Sequence, residues 1–172
     1  PEICNRTYGT QWDAQRQYGD LDTQLRVPLL AHPTGIGIAP SLADLNPANA
    51  RRERHAFDLY KNFIRPMLAT SRVYHHTPEL PFDTAGGWLA LEYAARDRAR
   101  ACAGVIRLSG EGEPEYLFRP RGLRPGARYR VTFDNSGDTI TKTGYELRQE
   151  GIRIRLAGGI RSELLLFEEV NP

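Results

Sequence analysis

The sequence predicts a chain of two parts, a mixed helical part over residues 1–83 and an antiparallel β-sandwich over residues 84–172. Before residue 70, apolar residues recur at three- and four-residue spacing, which is the period of a helix buried on one face. From Gly86 onward the apolar period is two. Turn-forming residues interrupt that pattern roughly every ten residues, as is typical of a β-sandwich.

The first predicted helix begins at Asp20 and runs to Leu30. Its apolar positions recur every fourth residue and therefore lie on one face: Leu21, Leu25 and Leu29. Pro28 falls inside this pattern and is expected to kink or end the helix, because a proline has no N–H to donate to the helix ladder. Residues 35–39 follow as a predicted short buried strand that runs into a loop.

The second predicted helix is the clearest and extends from Asn46 to about Leu68. Asn46 is suited to cap it, and Pro47 to occupy the first helical position. Pro66 is expected to bend or end it. The stretch Val73–Thr84 is predicted to be an extended linker, because each proline in it biases the preceding residue away from helix.

The second half of the chain contains six predicted strands: 88–94, 100–108, 114–119, 127–133, 151–156 and 162–168. Sequences that favour chain reversal separate them, such as Arg124-Pro-Gly and Asn135-Ser-Gly. A segment of about 85 residues is long enough to bury a modest core of its own.

Composition and charge argue against several classes of function. Lys plus Arg total 23 and Asp plus Glu total 21, and a net charge of +2 gives little support to nucleic-acid binding. No apolar run approaches the roughly 20 residues that a membrane span needs. Gly35-Ile-Gly37 lacks the third glycine of a dinucleotide site, and neither a phosphate-binding loop nor a GxSxG motif occurs, which narrows the possible enzyme classes.

No metal site is expected either. Cys4 and Cys102 have no partner at a metal-ligand or CxxC spacing and are predicted to be buried thiols. His75 and His76 are adjacent in an extended stretch and therefore point to opposite faces. No third ligand lies at a usual spacing from them.

Five motifs, which together extend from Asp58 to the C-terminal region, carry a family resemblance. They are Asp58-Leu-Tyr-Lys-Asn-Phe-Ile-Arg-Pro-Met-Leu, Arg72-Val-Tyr-His-His-Thr-Pro, Arg96-Asp-Arg-Ala-Arg-Ala, Arg121-Gly-Leu-Arg-Pro-Gly-Ala-Arg-Tyr-Arg-Val and Ser162-Glu-Leu-Leu-Leu. They resemble the late part of α-galactosidase-like glycoside hydrolases, a clan that also contains α-glucosidase-type enzymes. In that clan a (β/α)8 barrel precedes a C-terminal β-sandwich. The resemblance therefore implies that residues 1–83 are late barrel elements and a linker, and that residues 84–172 are the sandwich.

The activity implied by the resemblance is retaining hydrolysis of an α-linked terminal sugar, with a carbohydrate substrate and no cofactor. Retaining hydrolysis needs two carboxyl groups about 5–5.5 Å apart. A complete barrel takes about 250 residues, and the Lys-x-Asp motif of the family's nucleophile does not occur in this sequence. We therefore expect the nucleophile upstream of Pro1, in an N-terminal part of the same protein, and an inactive isolated chain.

The proton-transferring aspartate of the family lies late in the barrel, in motifs such as Trp-Ser-Asp-Asp or Trp-Ser-Gly-Asp, often with an arginine nearby. Tyr18-Gly19-Asp20 is the nearest match, so the resemblance implies that Asp20 is the catalytic acid/base. Trp12, Arg16 and Tyr18 are candidates to line the sugar site, since arginine donates paired hydrogen bonds. The residues alone leave alternatives open: Asp20 also suits the cap of the following helix, and Trp12, Arg16 and Tyr18 also suit packing and a surface salt bridge. Asp13 and Asp22 are weaker candidates for the acid/base and also suit solvated positions.

A second class of function also fits the sequence, a non-catalytic β-sandwich domain that binds carbohydrate or a partner subunit. A glycan-binding module usually exposes aromatic residues on one sheet face. The aromatic residues of the predicted strands fall mostly at apolar positions, which favours core packing: Trp88, Tyr93, Tyr116, Phe118, Tyr129 and Phe133.

Overall fold

The computed structural model describes residues 21–30, 47–77, 87–108 and 113–170. The chain divides into two compact units, residues 1–66 and residues 67–172. No helix among the described residues is long and apolar enough to cross a membrane.

Helix α1 of the first unit spans Leu21–Leu30. Its three leucines at four-residue spacing are all buried, which confirms the predicted apolar face. Pro28 lies inside the helix without ending it at that point.

The second predicted helix forms over its whole described length, but its ladder changes in the middle. Helix α2 spans Pro47–Leu59, a π-helical turn spans Tyr60–Ile64, and helix α3 spans Arg65–Leu68. In the π-helical turn the Arg65 N–H reaches the carbonyl of Tyr60, five residues back instead of four. This widening comes directly before Pro66, whose ring would clash with a normally spaced carbonyl. The helix therefore continues past Pro66 and ends at Leu68.

The described residues of the second unit form eight strands, and all the pairings between them are antiparallel. The strands are β1 Arg72–His75, β2 Trp88–Ala94, β3 Arg100–Arg107, β4 Glu115–Phe118, β5 Arg128–Phe133, β6 Thr139–Thr143, β7 Ile152–Arg155 and β8 Ser162–Glu169. A six-stranded sheet has the order β1-β2-β3-β8-β5-β6, and a two-stranded sheet pairs β4 with β7. All six predicted strands are present. The antiparallel architecture is that expected of a β-sandwich C-terminal domain.

Three elements of the second unit differ from the sequence-based expectation. Strand β1 lies in the stretch assigned to the linker, and it pairs with β2 along the edge of the large sheet. Strand β6 and helix α4, Gly144–Glu150, were not predicted. The helix has a readable signal, because Thr143 and Glu146 form a capping box.

A core cluster forms among the described buried residues of the second unit. It combines side chains from the large sheet, the small sheet, α4 and the connection between β4 and β5: Trp88, Ala90, Ala94, Ala101, Ala103, Val105, Phe118, Leu123, Tyr129, Val131, Leu147, Ile152, Ile154, Leu165 and Phe167. Four of the six strand aromatics are buried, as the apolar spacing predicted. No row of exposed strand aromatics forms a binding platform among the described residues.

Candidate functional site

The residues predicted to form the active site lie outside the described part of the chain. These are Asp20, proposed from the resemblance as acid/base, and Trp12, Arg16 and Tyr18, proposed to line the sugar. Their roles stay predictions.

The second unit contains a fully buried carboxylate. Glu92 lies in β2, and its side chain is 0% exposed. Its two oxygens accept three hydrogen bonds: Oε1 from the backbone N–H of Gly122 at 2.8 Å, and Oε2 from the backbone N–H of Arg121 at 2.8 Å and from His76 Nε2 at 2.9 Å. We call Glu92, His76, Arg121 and Gly122 the Glu92 cluster.

The strand sequence explains how a carboxylate fits into this part of the core. Alternate residues of a strand share one face, so Glu92 lies between Ala90 and Ala94, both of them core residues. Their small side chains leave the space that the carboxylate and its donors occupy. Gly122 approaches Ala94 so closely that a Cβ at residue 122 would overlap the Ala94 Cβ atom.

The two adjacent histidines have different environments. His75 is exposed, whereas the His76 side chain is 5% exposed and its ring centroid lies 4.7 Å from that of Phe118. Arg121 also reaches back to this strand, where its guanidinium donates to the His75 carbonyl at 3.3 Å. Among the described residues, no three His, Cys, Asp or Glu side chains lie close enough together to hold a metal ion.

Arg121, Gly122 and Arg124 belong to the loop that connects β4 and β5, and Tyr129 forms hydrogen bonds near the far end of this loop. This side chain is fully buried; its hydroxyl donates to the Arg98 carbonyl at 2.7 Å and accepts from the Arg124 N–H at 3.0 Å. Arg98 occupies the left-handed region with φ 60°. The Arg124 guanidinium pairs with Glu169. The loop is thus fastened at Arg121 and Gly122 by Glu92, and at Arg124 by Tyr129.

The Glu92 cluster stabilises the loop between β4 and β5, and its geometry does not suit catalysis. A carboxylate with no exposed surface and three donors on its oxygens has no place for a substrate atom. It satisfies two backbone N–H groups of an irregular loop that would otherwise be costly to bury. Sequence reasoning missed Glu92, although a charged residue in the apolar strand Trp88-Leu-Ala-Leu-Glu-Tyr-Ala is a signal for such a buried partner.

Cys102 lies on β3 and is fully buried, which confirms the prediction for this thiol. Burial raises the pKa of Cys102 to about 12, because it excludes water from the thiolate, and the charge of Glu92 acts in the same direction. Cys4 lies outside the described residues.

We expect the Cys102 thiol to resist alkylation in the folded protein. Thiolate is the reactive form, and a pKa raised above the usual value leaves almost none of it at pH 8. In a Cys4→Ser background, iodoacetamide labelling followed by mass spectrometry should show negligible modification at pH 8 and full modification in 6 M guanidinium chloride. Rapid labelling of the folded Cys4→Ser protein at pH 8 would contradict this expectation.

The comparisons with known proteins concern the second unit and the chain as a whole. Residues 88–167 match the glycosyl hydrolase family 36 C-terminal domain. This confirms the resemblance to the C-terminal portion of α-galactosidase-like glycoside hydrolases. No curated protein sequence matches the chain.

Among solved structures, the chain is similar to parts of α-galactosidases. The α-galactosidase of Lactobacillus brevis is 21% identical with a TM-score of 0.69, and the match covers 90% of this chain and 20% of that protein. A family 36 α-galactosidase of Geobacillus stearothermophilus in complex with stachyose is 18% identical with a TM-score of 0.68, over 98% of this chain and 21% of that protein. The galactosidase domain of an α-galactosidase-sucrose kinase is 22% identical with a TM-score of 0.58, over 74% and 17% of the two chains. This chain therefore spans about a fifth of the length of these proteins.

Proposed function

This chain is similar to the C-terminal portion of an α-galactosidase-like glycoside hydrolase, and we propose that it is part of a retaining hydrolase of α-linked terminal sugars. The observation that carries the proposal is the match of residues 88–167 to a family 36 domain. Two of the motifs that carry the resemblance contribute to the contacts of Glu92 and Tyr129. The motif that begins at Arg121 donates its first N–H to Glu92, and the motif that begins at Arg96 contains the Arg98 carbonyl that accepts from Tyr129.

The proposed division of the chain follows the family's architecture. Residues 1–83 supply late elements of a (β/α)8 barrel and a linker, and residues 84–172 supply the sandwich. The partner is an N-terminal part of the same protein, which carries the barrel's earlier elements and the nucleophile. The substrate is a carbohydrate. The chain by itself is inactive, because retaining hydrolysis needs both carboxyl groups.

Asp20 is the proposed acid/base. In the first step it donates a proton to the glycosidic oxygen while the nucleophilic carboxylate forms a bond to the anomeric carbon and the leaving alcohol departs. In the second step Asp20 removes a proton from water as the water oxygen displaces the enzyme carboxylate. Trp12, Arg16 and Tyr18 position the sugar in this proposal.

The replacement Asp20→Asn separates catalysis from capping. Asparagine caps a helix as well as aspartate does, but an amide does not transfer the proton. In a polypeptide that includes the sequence encoded upstream of Pro1, we expect kcat/KM for raffinose, whose leaving group needs protonation, to fall by about 10²–10⁴-fold. An aryl α-galactoside with a dinitrophenyl leaving group should lose far less, because that group departs without a proton.

The matched control is Asp22→Asn, which changes a neighbouring carboxylate. We expect this variant to change kcat/KM for either substrate by no more than about twofold. Equal losses on the two substrates, or none on either, would contradict the role of Asp20. Turnover of the aryl α-galactoside by the 172-residue chain alone would contradict the proposed division of the active site.

A further inference from the structure

An open cleft of about 560 Å³ lies between the β5–β6 hairpin and the segment formed by β7 and the turn after it. Apolar residues line much of it: Phe133 and Ile140 from the hairpin, Leu156 directly after β7, and Ile160. Ile160 is 40% exposed. The volume falls in the range of about 300–1,000 Å³ that is usual for sites of small organic ligands.

The hairpin wall of the cleft is fixed to strand β8. Glu163 Oε1 accepts hydrogen bonds from the backbone N–H groups of Asn135 and Leu164, both at 3.0 Å. The Asn135 side chain donates through Nδ2 to the Ser162 carbonyl at 2.8 Å. These bonds tie the tip of the hairpin to the start of β8. The hairpin wall is therefore already ordered in the folded protein, and a ligand would bind it without a further loss of conformational entropy.

The opposite wall carries two arginines that are also held in place. Arg153 and Arg155 donate to the two carboxylate oxygens of Glu115 on β4, at 2.5 Å and 2.7 Å. The hydrogen bonds from Arg155 and Arg153 lower the pKa of the Glu115 carboxyl, so the contact persists at neutral pH. A guanidinium group has five N–H donors, and Glu115 occupies one on each arginine. Donors therefore remain on this wall.

The hairpin wall presents acceptors. Within the described ranges, the Asp138 carboxylate forms no hydrogen bond or ion pair; the hydrogen bonds of this residue are made by its backbone. The Asn135 carbonyl Oδ1 is likewise without a partner in the described part of the chain. The cleft thus has donors on one wall, acceptors on the other, and apolar surface between them.

We propose that this cleft is a non-catalytic binding site for a neutral oligosaccharide. A sugar ring has apolar C–H faces and an edge of hydroxyl groups that both donate and accept, which matches the two walls and the apolar lining. A polyanion would meet the charge of Asp138, and a polycation would meet Arg153 and Arg155. The site goes beyond the proposed hydrolysis and does not depend on Asp20. It would hold a second part of a carbohydrate on the sandwich.

The test uses the full 172-residue chain and raffinose as the probe. Saturation-transfer NMR detects contact with the sugar, and calorimetric titration gives the Kd. We expect Asp138→Ala to raise the Kd about tenfold, as the loss of a hydrogen bond to a charged acceptor does. Ile160→Asp should weaken binding to a similar extent by charging the apolar lining. Both side chains are exposed, and unchanged thermal unfolding will confirm that the variants fold.

The matched control is Glu150→Ala, which removes an exposed carboxylate paired with Lys142 outside the cleft. Its Kd should equal that of the unaltered chain. The absence of saturation transfer to raffinose would overturn the proposal. Binding that Trp12→Ala abolishes and Asp138→Ala leaves intact would also overturn it, by placing the sugar at the residues proposed for catalysis. If Asp20→Asn does not reduce hydrolysis, the proposed catalytic role fails, but the Kd for raffinose at the cleft is not affected. The two proposals therefore fail separately.

Discussion

Glu92→Ala is expected to lower the free energy of unfolding of the second unit by about 3–5 kcal/mol. The substitution leaves the Arg121 and Gly122 N–H groups and His76 without their acceptor, at a site with no exposed surface. Buried donors that lose a charged acceptor bear their full desolvation cost. Urea unfolding followed by the fluorescence of Trp88, in a Trp12→Phe background, measures the change next to the altered strand.

Two further variants identify the cause of that loss. Glu150→Ala removes a carboxylate that is 56% exposed and should change the free energy of unfolding by less than about 1 kcal/mol. Glu92→Gln keeps the shape and one acceptor, but its amide N–H₂ then faces a donor, so its loss should be intermediate. If Glu92→Ala and Glu150→Ala unfold at the same urea concentration, the buried carboxylate does not fasten the loop.

Gly122→Ala is expected to destabilise the second unit by about 3 kcal/mol or more, the upper end of the range for overpacked cores. The added methyl group would overlap the Ala94 Cβ atom and lie 2.9 Å from Glu92 Oε1 and 3.1 Å from Tyr74 Cε2. These atoms belong to two neighbouring strands, so relief requires the loop to move away from β2. That movement would also lengthen the bond from the Gly122 N–H to Glu92. The Trp88 fluorescence assay in urea applies here as well.

Gly126→Ala is the matched control, because it changes a glycine of the same connection. A Cβ at residue 126 would meet no atom within 4 Å, and its backbone is outside the left-handed region. We expect its free energy of unfolding to change by no more than about 0.5 kcal/mol. Similar unfolding midpoints for Gly122→Ala and Gly126→Ala would show that the close approach of the loop is not required.

The regular elements were readable from the sequence because their signals are local. Period-two alternation identified all six predicted strands, and the spacing of Leu21, Leu25 and Leu29 identified the buried face of α1. Strand β1 escaped recognition because the prolines of its stretch favoured a linker. An extended chain becomes a strand only when a partner such as β2 supplies the hydrogen bonds. The capping box before α4 was present but unused.

The family resemblance was also readable, because it rests on contiguous motifs, and the match of residues 88–167 confirms it. The motif residues Arg121 and Gly122 were recognised by their order along the chain. Their physical purpose, to present two backbone N–H groups to a buried carboxylate, has no sequence pattern of its own.

The sequence by itself determined the positions of most strands and helices, the absence of a strong net charge, and the kind of protein this chain resembles. Only the tertiary structure decided which residues meet. Glu92 is 16 residues from His76 and 29 and 30 residues from Arg121 and Gly122. The cleft likewise combines a hairpin turn with the separate strand β7. The spacing of apolar residues along the sequence predicts which side of a single helix or strand is buried. Contacts between residues so far apart in the sequence depend instead on strand order and on the packing of the two sheets.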